Sequence, residues 1–205
     1  MTGFAVRSFL TLLVVLDPVG LAPVFLGLTP DRSPEERVRL AGRAVLIAAG
    51  LLLVFGLGGS WLLARLGISL DAFRVAGGVL LFRIAVDMVF AHHERETAAE
   101  EKEARGRDDI SVFPLAIPLI AGPGALASVM ILAGEARPLA FGLPLVLAVC
   151  MAVVALVYLG LRLATPLSRL LGKTGTNVVT RVLGVLLAAL ATQYVADGTL
   201  GLLRC

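Results

Sequence analysis

The sequence predicts an all-α polytopic membrane protein, with six transmembrane helices in two inverted three-helix repeats and with broken first and fourth helices. Three observations predict it. Six apolar segments reach the ~20 residues that a spanning helix needs. Fragments of the first half recur in the second half at nearly one offset. Proline and glycine interrupt two of the spans at corresponding places.

The apolar segments come first. Of the 205 residues 58% are hydrophobic and 16% charged, and the mean hydropathy is +0.93. A soluble domain carries about a quarter charged residues. The excess here is gathered in blocks, at roughly 4–28, 41–64, 69–91, 112–134, 139–164 and 178–203. Helix satisfies every backbone group inside its own segment, whereas an open strand in lipid does not. No small-residue cleavage site follows the first apolar run, so a removable signal is not expected.

The connectors are short except for one. In "TPDRSPEERVR", Ser33 is placed to cap a helix that begins at Pro34. "HHERETAAEEKEARGRDD" is the one strongly polar stretch and reads as a solvated loop, helical through "RETAAEEKEAR". It holds both histidines, His92 and His93. Cys150 lies in an apolar block and Cys205 ends the chain, so neither a disulfide framework nor a metal site is expected. The formal charge of +3 is small and dispersed, which argues against a nucleic-acid partner.

Lysine and arginine set orientation. Twelve of them flank the first, third and fifth connectors, against Arg7, Arg65, Arg137 and Arg204 on the opposite side. Both termini are therefore expected outside and the charged loop in the cytoplasm.

The repeat is faint. "FRVAGGVLL" resembles "TRVLGVLL", pairing Arg74 with Arg181 and Gly77 with Gly184, 107 residues apart. "LDPVG" resembles "AGPG", pairing Pro18 with Pro123 at an offset of 105. Residues 1–91 and 111–205 then form two three-helix repeats around the 92–110 loop. Three spans per repeat is odd, so the second repeat enters the membrane inverted.

The breaks carry the chemistry. Proline lacks an amide donor and drives the residue before it out of the α region. Asp17 is thus expected to be non-helical, Pro18 to start a new helix, and Gly20 to loosen the turn. About 14 residues precede the break, roughly 20 Å of helix, which puts it near mid-bilayer. "IPLIAGPGALA" repeats the device, with Pro118 as a kink and Gly122, Pro123 and Gly124 as the interruption. Paired discontinuous helices of this kind mark transport sites. The first-turn amides of Gly124 and Ala125 have no carbonyl one turn back and suit an anion such as a carboxylate. Asp17 suits an ammonium group or a proton, and it also suits capping of the half-helix that follows.

Other polar residues in the spans are weighed beside these. Arg83 and Asp87 are four apart and are expected to form an internal structural pair, with a gate or proton relay as the sharper reading. Gln193 is expected to bond across helices or to touch substrate. Asp71 and Arg74 are expected at the surface where the third span opens, and Asp197 near an interface. Thr192 is expected to bond its own backbone. "AGG" at 76–78 suits close helix packing, and Trp61 suits an interfacial belt.

"LDPVGLAPVFL", "FRVAGGVLLFRIAVDMVF", "FPLAIPLIAGPGALASVMIL" and "TRVLGVLLAALATQYVADG" together resemble the MarC family of membrane proteins, over essentially the whole chain. The resemblance implies a multi-pass bacterial inner-membrane protein. By analogy it implies movement of small neutral amino acids coupled to an ion gradient. Leu21 stands where similar proteins often carry Asn, and Ala127 and Ser128 stand where they often carry a Thr pair. Arg83 replaces an apolar residue.

The expected activity is secondary transport of a small solute across the bilayer, coupled to H⁺ or Na⁺. The substrate-binding candidates are Asp17, Pro18, Gly20, Gly122, Pro123, Gly124, Ala125, Ser128 and Gln193. The coupling candidates are Asp17, Arg83 and Asp87. A scaffold or sensor subunit is the alternative. No HExxH, GxSxG or Walker-type loop is present, so neither an enzyme nor an ATP-driven pump is expected, and no cofactor. A homo-oligomer is compatible with the sequence.

Overall fold

The computed structural model describes residues 1–90 and 109–203. The expected helix through "RETAAEEKEAR" lies outside them. Among the described residues there is no strand. The described residues form eight helical segments: α1 (Thr2–Leu16), α2 (Pro18–Leu28), α3 (Pro34–Arg65), α4 (Leu70–Phe90), α5 (Ser111–Ile120), α6 (Pro123–Ala136), α7 (Gly142–Arg162) and α8 (Ala164–Leu203).

Local chemistry explains most boundaries. Asp17 alone separates α1 from α2, with φ 37° and ψ 69°. Ser33 and Glu36 form a reciprocal capping box at the start of α3: the Glu36 amide donates to Ser33 Oγ at 3.3 Å, and the Ser33 amide donates to Glu36 Oε2 at 2.8 Å. Arg37 donates through Nε and Nη2 to the Thr29 carbonyl, at 3.0 and 2.6 Å, closing the C-terminal end of α2. Gly67 at φ 70° turns the chain toward α4, where Ser69 Oγ accepts from the Ala72 amide at 3.1 Å.

α5 is a loose coil. Phe113 and Ile117, each preceding a proline, are extended, and wide-turn bonds run from Leu115 N to Ile110 O and from Ala121 N to Ala116 O. This is the fourth-span kink expected at Pro118, and α6 leaves it at 55°. The connector expected between the fifth and sixth spans is itself helical, so α8 runs through it, interrupted at Gly172 with φ 62°.

The sequence expectation of six spans is met only in part. Among the described residues four helices are long and apolar enough to cross a membrane: Thr2–Leu28 taken through its break, Pro34–Arg65, Gly142–Arg162 and Thr174–Leu203. The bent α5–α6 pair makes a fifth. The 21 residues of α4 are long enough, but Asp71, Arg74, Arg83 and Asp87 make it too charged to count by composition.

Packing places α4 against α8, its most extensive partner. Gly198 abuts Asp71 and Arg74 at one end and Gly184 abuts Ala85 and Met88 at the other, so the two run antiparallel. Between these points a Cβ on Gly78 would stand 2.8 Å from the Ala191 carbonyl oxygen, which is why "AGG" ends in a residue without one. α3 and α7 also run antiparallel, with Gly42 facing Tyr158 and Gly56 facing Leu147. The larger core joins α1, α2, α3, α5, α6 and α7 through residues such as Leu12, Phe25, Leu52, Leu132 and Val153. A smaller core joins α4, α6 and α8 through Leu81, Ile131, Leu187 and Tyr194. Leu46, Val54, Phe82, Val182 and Leu186 are exposed, an outer apolar surface suited to lipid.

Candidate functional site

The first break is built as the sequence predicts. Asp17 occupies the left-handed region, its Oδ1 accepts from the Gly20 amide at 3.0 Å, and Pro18 is the first residue of α2. A Cβ on Gly20 would run into the Asp17 carboxylate and stand 3.2 Å from Thr180 Oγ1 on α8. Gly160 on α7 lets the Pro18 carbonyl approach to 2.9 Å of its own Cβ direction. Three helices thus converge on the break.

The second break differs in one respect. Pro123 again opens the helix, but the residue before it is extended Gly122, at φ −74° and ψ 173°, and no side chain caps α6. The first-turn amides of α6 therefore lack the side-chain acceptor that Asp17 supplies to α2. Gly124 and Ala125 are buried, while Pro123 is exposed.

The two breaks are neighbours. A Cβ on Gly124 would stand 2.8 Å from Ile84 Cδ1, 3.0 Å from Leu81 Cδ2 and 3.9 Å from Val15 Cγ1. Val15 lies two residues before Asp17. The half-helix that ends at one break therefore touches the half-helix that starts at the other, under an apolar cover from α4.

Ser128 is fully buried on α6, and its Oγ has no hydrogen-bond partner. Gly124, Ser128, Ile131 and Glu135 fall at i, i+4, i+7 and i+11, which is one helix face. Gly124 meets α1 and α4 at one end of that face. At the other end Glu135 meets Arg7 of α1 and Arg74 of α4. Ser128 between them faces the same two helices.

Two expected site residues are placed elsewhere. Gln193 does not bond across helices: it is exposed, and its Nε2 donates to Asp197 Oδ1 of its own helix at 2.6 Å. Arg83 and Asp87 do approach each other, at 3.9 Å, but the Arg83 side chain is 74% exposed, so the pair is not internal. The rotation of α4 explains this. Leu81, Ala85 and Met88 take the buried stripe, which turns Arg83 outward. Thr192 bonds the Ala188 carbonyl one turn back, as expected.

Sequence reasoning missed an ionic network. Glu135 Oε2 lies 3.4 Å from Arg7 Nη1, and Glu135 Oε1 lies 3.2 Å from Arg74 Nη2. Arg74 Nη1 in turn donates to Asp71 Oδ1 at 2.6 Å. Arg74, expected at the surface, is instead drawn between two carboxylates of different helices. The available signal was an acidic residue closing the fourth span, opposite two arginines of the same membrane face.

Two open cavities lie away from the breaks. One of about 360 Å³ is lined by Arg43, Ile47, Asp109 and Ser111, and one of about 240 Å³ by Val79, Phe82, Thr192 and Val195. Beside the first, Ser111 donates its amide and hydroxyl to Asp109 Oδ1, which holds that carboxyl below its ordinary range, and Arg43 pairs with Asp109 at 3.2 Å. Among the described residues no cluster of His, Cys, Asp and Glu fits a metal ion.

Known proteins match this chain along its length. A UPF0056 membrane protein of Methanocaldococcus jannaschii is 36% identical over 201 residues, covering 98% of each chain. The UPF0056 membrane protein YvbG of Bacillus subtilis is 35% identical, over 98% of this chain and 97% of its own. YhcE of Escherichia coli, of the same description, is 35% identical over 96% of this chain and 92% of its own. No solved structure matches. Residues 2–203 match the MarC family of integral membrane proteins, and the chain belongs to that family.

Proposed function

We propose that this chain is a secondary transporter of small neutral solutes, amino acids foremost, coupled to an H⁺ or Na⁺ gradient in the bacterial inner membrane. The observation that carries the reading is the contact between two proline-started half-helices, where Val15 beside Asp17 packs on Gly124 beside Pro123. Non-helical backbone at membrane depth is tolerated only inside protein or beside a water-filled path, and transporters use it to hold substrate. One break supplies a carboxylate and the other an uncapped helix N-terminus. That pair is complementary to the ammonium and carboxylate of a zwitterion.

The antiparallel pairing of α4 with α8 and of α3 with α7 supports an inverted repeat. In that arrangement α1–α2 corresponds to α5–α6, α4 counts as a span covered by α8, and both termini face outside. The site comprises Asp17, Pro18, Gly20, Gly122, Gly124, Ala125 and Ser128, and no enzymatic step is involved.

Uptake into proteoliposomes tests the proposal, with a panel of neutral amino acids and imposed H⁺ or Na⁺ gradients. Gradient-dependent accumulation of at least one of them is expected. A folded, reconstituted protein that moves none under any gradient overturns transport and favours a scaffold or sensor.

A further inference from the structure

We propose that the α1, α4, α6 and α8 junction is a hydroxyl-lined solute chamber, and that Arg7–Glu135–Arg74 is the ionic gate that closes it at the end of the bundle where α1 begins. This deepens the transport reading and rests on it for the identity of the solute.

The gate is read from how the charges are shared. Glu135 uses both carboxylate oxygens on arginines of two other helices, and its side chain is only 13% exposed. Arg7 is the solvent-facing partner and Arg74 the half-buried one. Arg74 is anchored on its own helix by Asp71, whose backbone and carboxylate pack on Gly198 and Gly201 of α8. Glu135 therefore ties together α1, α4 and α6 at one end, and Asp71 extends the tie to α8. Removing Glu135 would take the carboxylate from Arg7 and leave Arg74 with Asp71 alone, so nothing would hold α6 to the arginines of α1 and α4. The bridge between α6 and the two arginines thus depends on Glu135.

The chamber is read from what lies beneath. Ser8 Oγ and Ser128 Oγ are buried and have no hydrogen-bond partner, and Tyr194, whose hydroxyl stands beside Thr11, is buried as fully; all three residues are 0% exposed. Burying a polar group without a partner is costly. They converge. Thr11 and Val15 of α1 lie one and two turns beyond Arg7, and Ser8 adjoins that face. Ser128 lies two turns from Glu135 on the face of α6 that looks toward α1 and α4. Tyr194 stands beside Thr11 and within electrostatic reach of Glu135, Arg7 and Arg74. It also packs in the cluster that includes Val15 and Ile131. The same face of α6 continues to Gly124. Polar groups thus run from the gate toward the second break, and the unsatisfied hydroxyls are the ones a small solute with hydrogen-bonding groups would satisfy.

Thiol accessibility tests this without any transport assay, so a failure here is separable from a failure of uptake. In a Cys150→Ala, Cys205→Ala background, Ser128→Cys is labelled with an impermeant maleimide, in right-side-out and in inverted vesicles. Slow labelling is expected with Glu135 present. Adding Glu135→Gln should raise the rate at least tenfold from one side only, and Glu135→Asp should raise it far less. Arg7→Gln cuts the same bond from its exposed partner and should act in the same direction, which keeps the test decisive if Glu135→Gln does not assemble. Ala48→Cys, buried in the larger core away from the junction, should stay unlabelled throughout. Unchanged Ser128→Cys labelling in the variants that assemble overturns the gate. So does a parallel rise at Ala48→Cys, because the loosening would then be global.

Discussion

The carboxylate of Asp17 folds back over its own chain and accepts the amide of Gly20 at 3.0 Å. The acid caps α2, and the cap sits where the charge would serve a substrate. Asp17→Asn separates the two roles, since it keeps an acceptor oxygen and tolerates the left-handed backbone but deletes the charge. We expect its melting temperature to stay near wild type while gradient-driven uptake is lost. Asp17→Ala should lose uptake and also about 1 kcal/mol of stability. Full uptake by Asp17→Asn would reduce the residue to a cap.

The two glycines of the second break should respond differently to one added methyl. A Cβ on Gly122 falls on the Pro118 carbonyl oxygen, which is backbone and cannot step aside. A Cβ on Gly124 meets the far ends of Ile84 and Leu81, which can. Gly122→Ala is expected to destabilise by about 1–3 kcal/mol, the usual range for overpacking, and Gly124→Ala by less. Thermal unfolding in detergent compares them, and equal losses would mean that the break relaxes as a unit.

Arg83 is mostly exposed and 3.9 Å from Asp87, so their pair is expected to contribute no more than about 1 kcal/mol. Arg83→Leu should leave unfolding and uptake close to wild type. A folded Arg83→Leu protein that no longer couples uptake to an ion gradient would assign the arginine to a relay instead.

Close packing of α4 on α8 depends on Gly78 and Gly184. A Cβ on Gly184 would stand 2.9 Å from Met88 Cβ and 3.2 Å from the Ala85 carbonyl oxygen, and one on Gly78 would stand 2.8 Å from the Ala191 oxygen. Substituting either by valine should separate the helices and lower stability by several kcal/mol, as overpacking against backbone does at its upper range. Gly50→Val, at a position with nothing within 4 Å, is the control and should be near neutral.

Orientation is checked by chemistry on the loop. The excess of basic residues on the first, third and fifth connectors predicts that residue 100 faces the cytoplasm. Glu100→Cys should resist impermeant thiol reagents in intact cells and react in inverted vesicles. The reverse pattern would invert every assigned side.

The helix breaks, the capping box and the apolar lengths were legible in the sequence because each has a covalent or near-neighbour cause. A proline has no amide and disfavours helix at the residue before it, so breaks were expected at Asp17–Pro18 and Gly122–Pro123, where glycine adds to the effect, whereas Pro23 stands inside α2. Ser33 and Glu36 are three residues apart and find each other without help from the rest of the chain. What the tertiary structure decided was rotation and partnership. In lipid the surroundings are as apolar as the protein interior, so hydropathy reports a helix's length but not which face turns inward. That is why Arg83 could be read as internal and is exposed, and why Gln193 could be read as bridging helices and bonds Asp197 of its own helix. The same rotation decided the opposite outcome for Arg74, which the sequence left at the surface. Glu135 reaches it only after α4 and α6 have packed, and the long-range attraction between such groups is set by the fold that brings them within 3.2 Å.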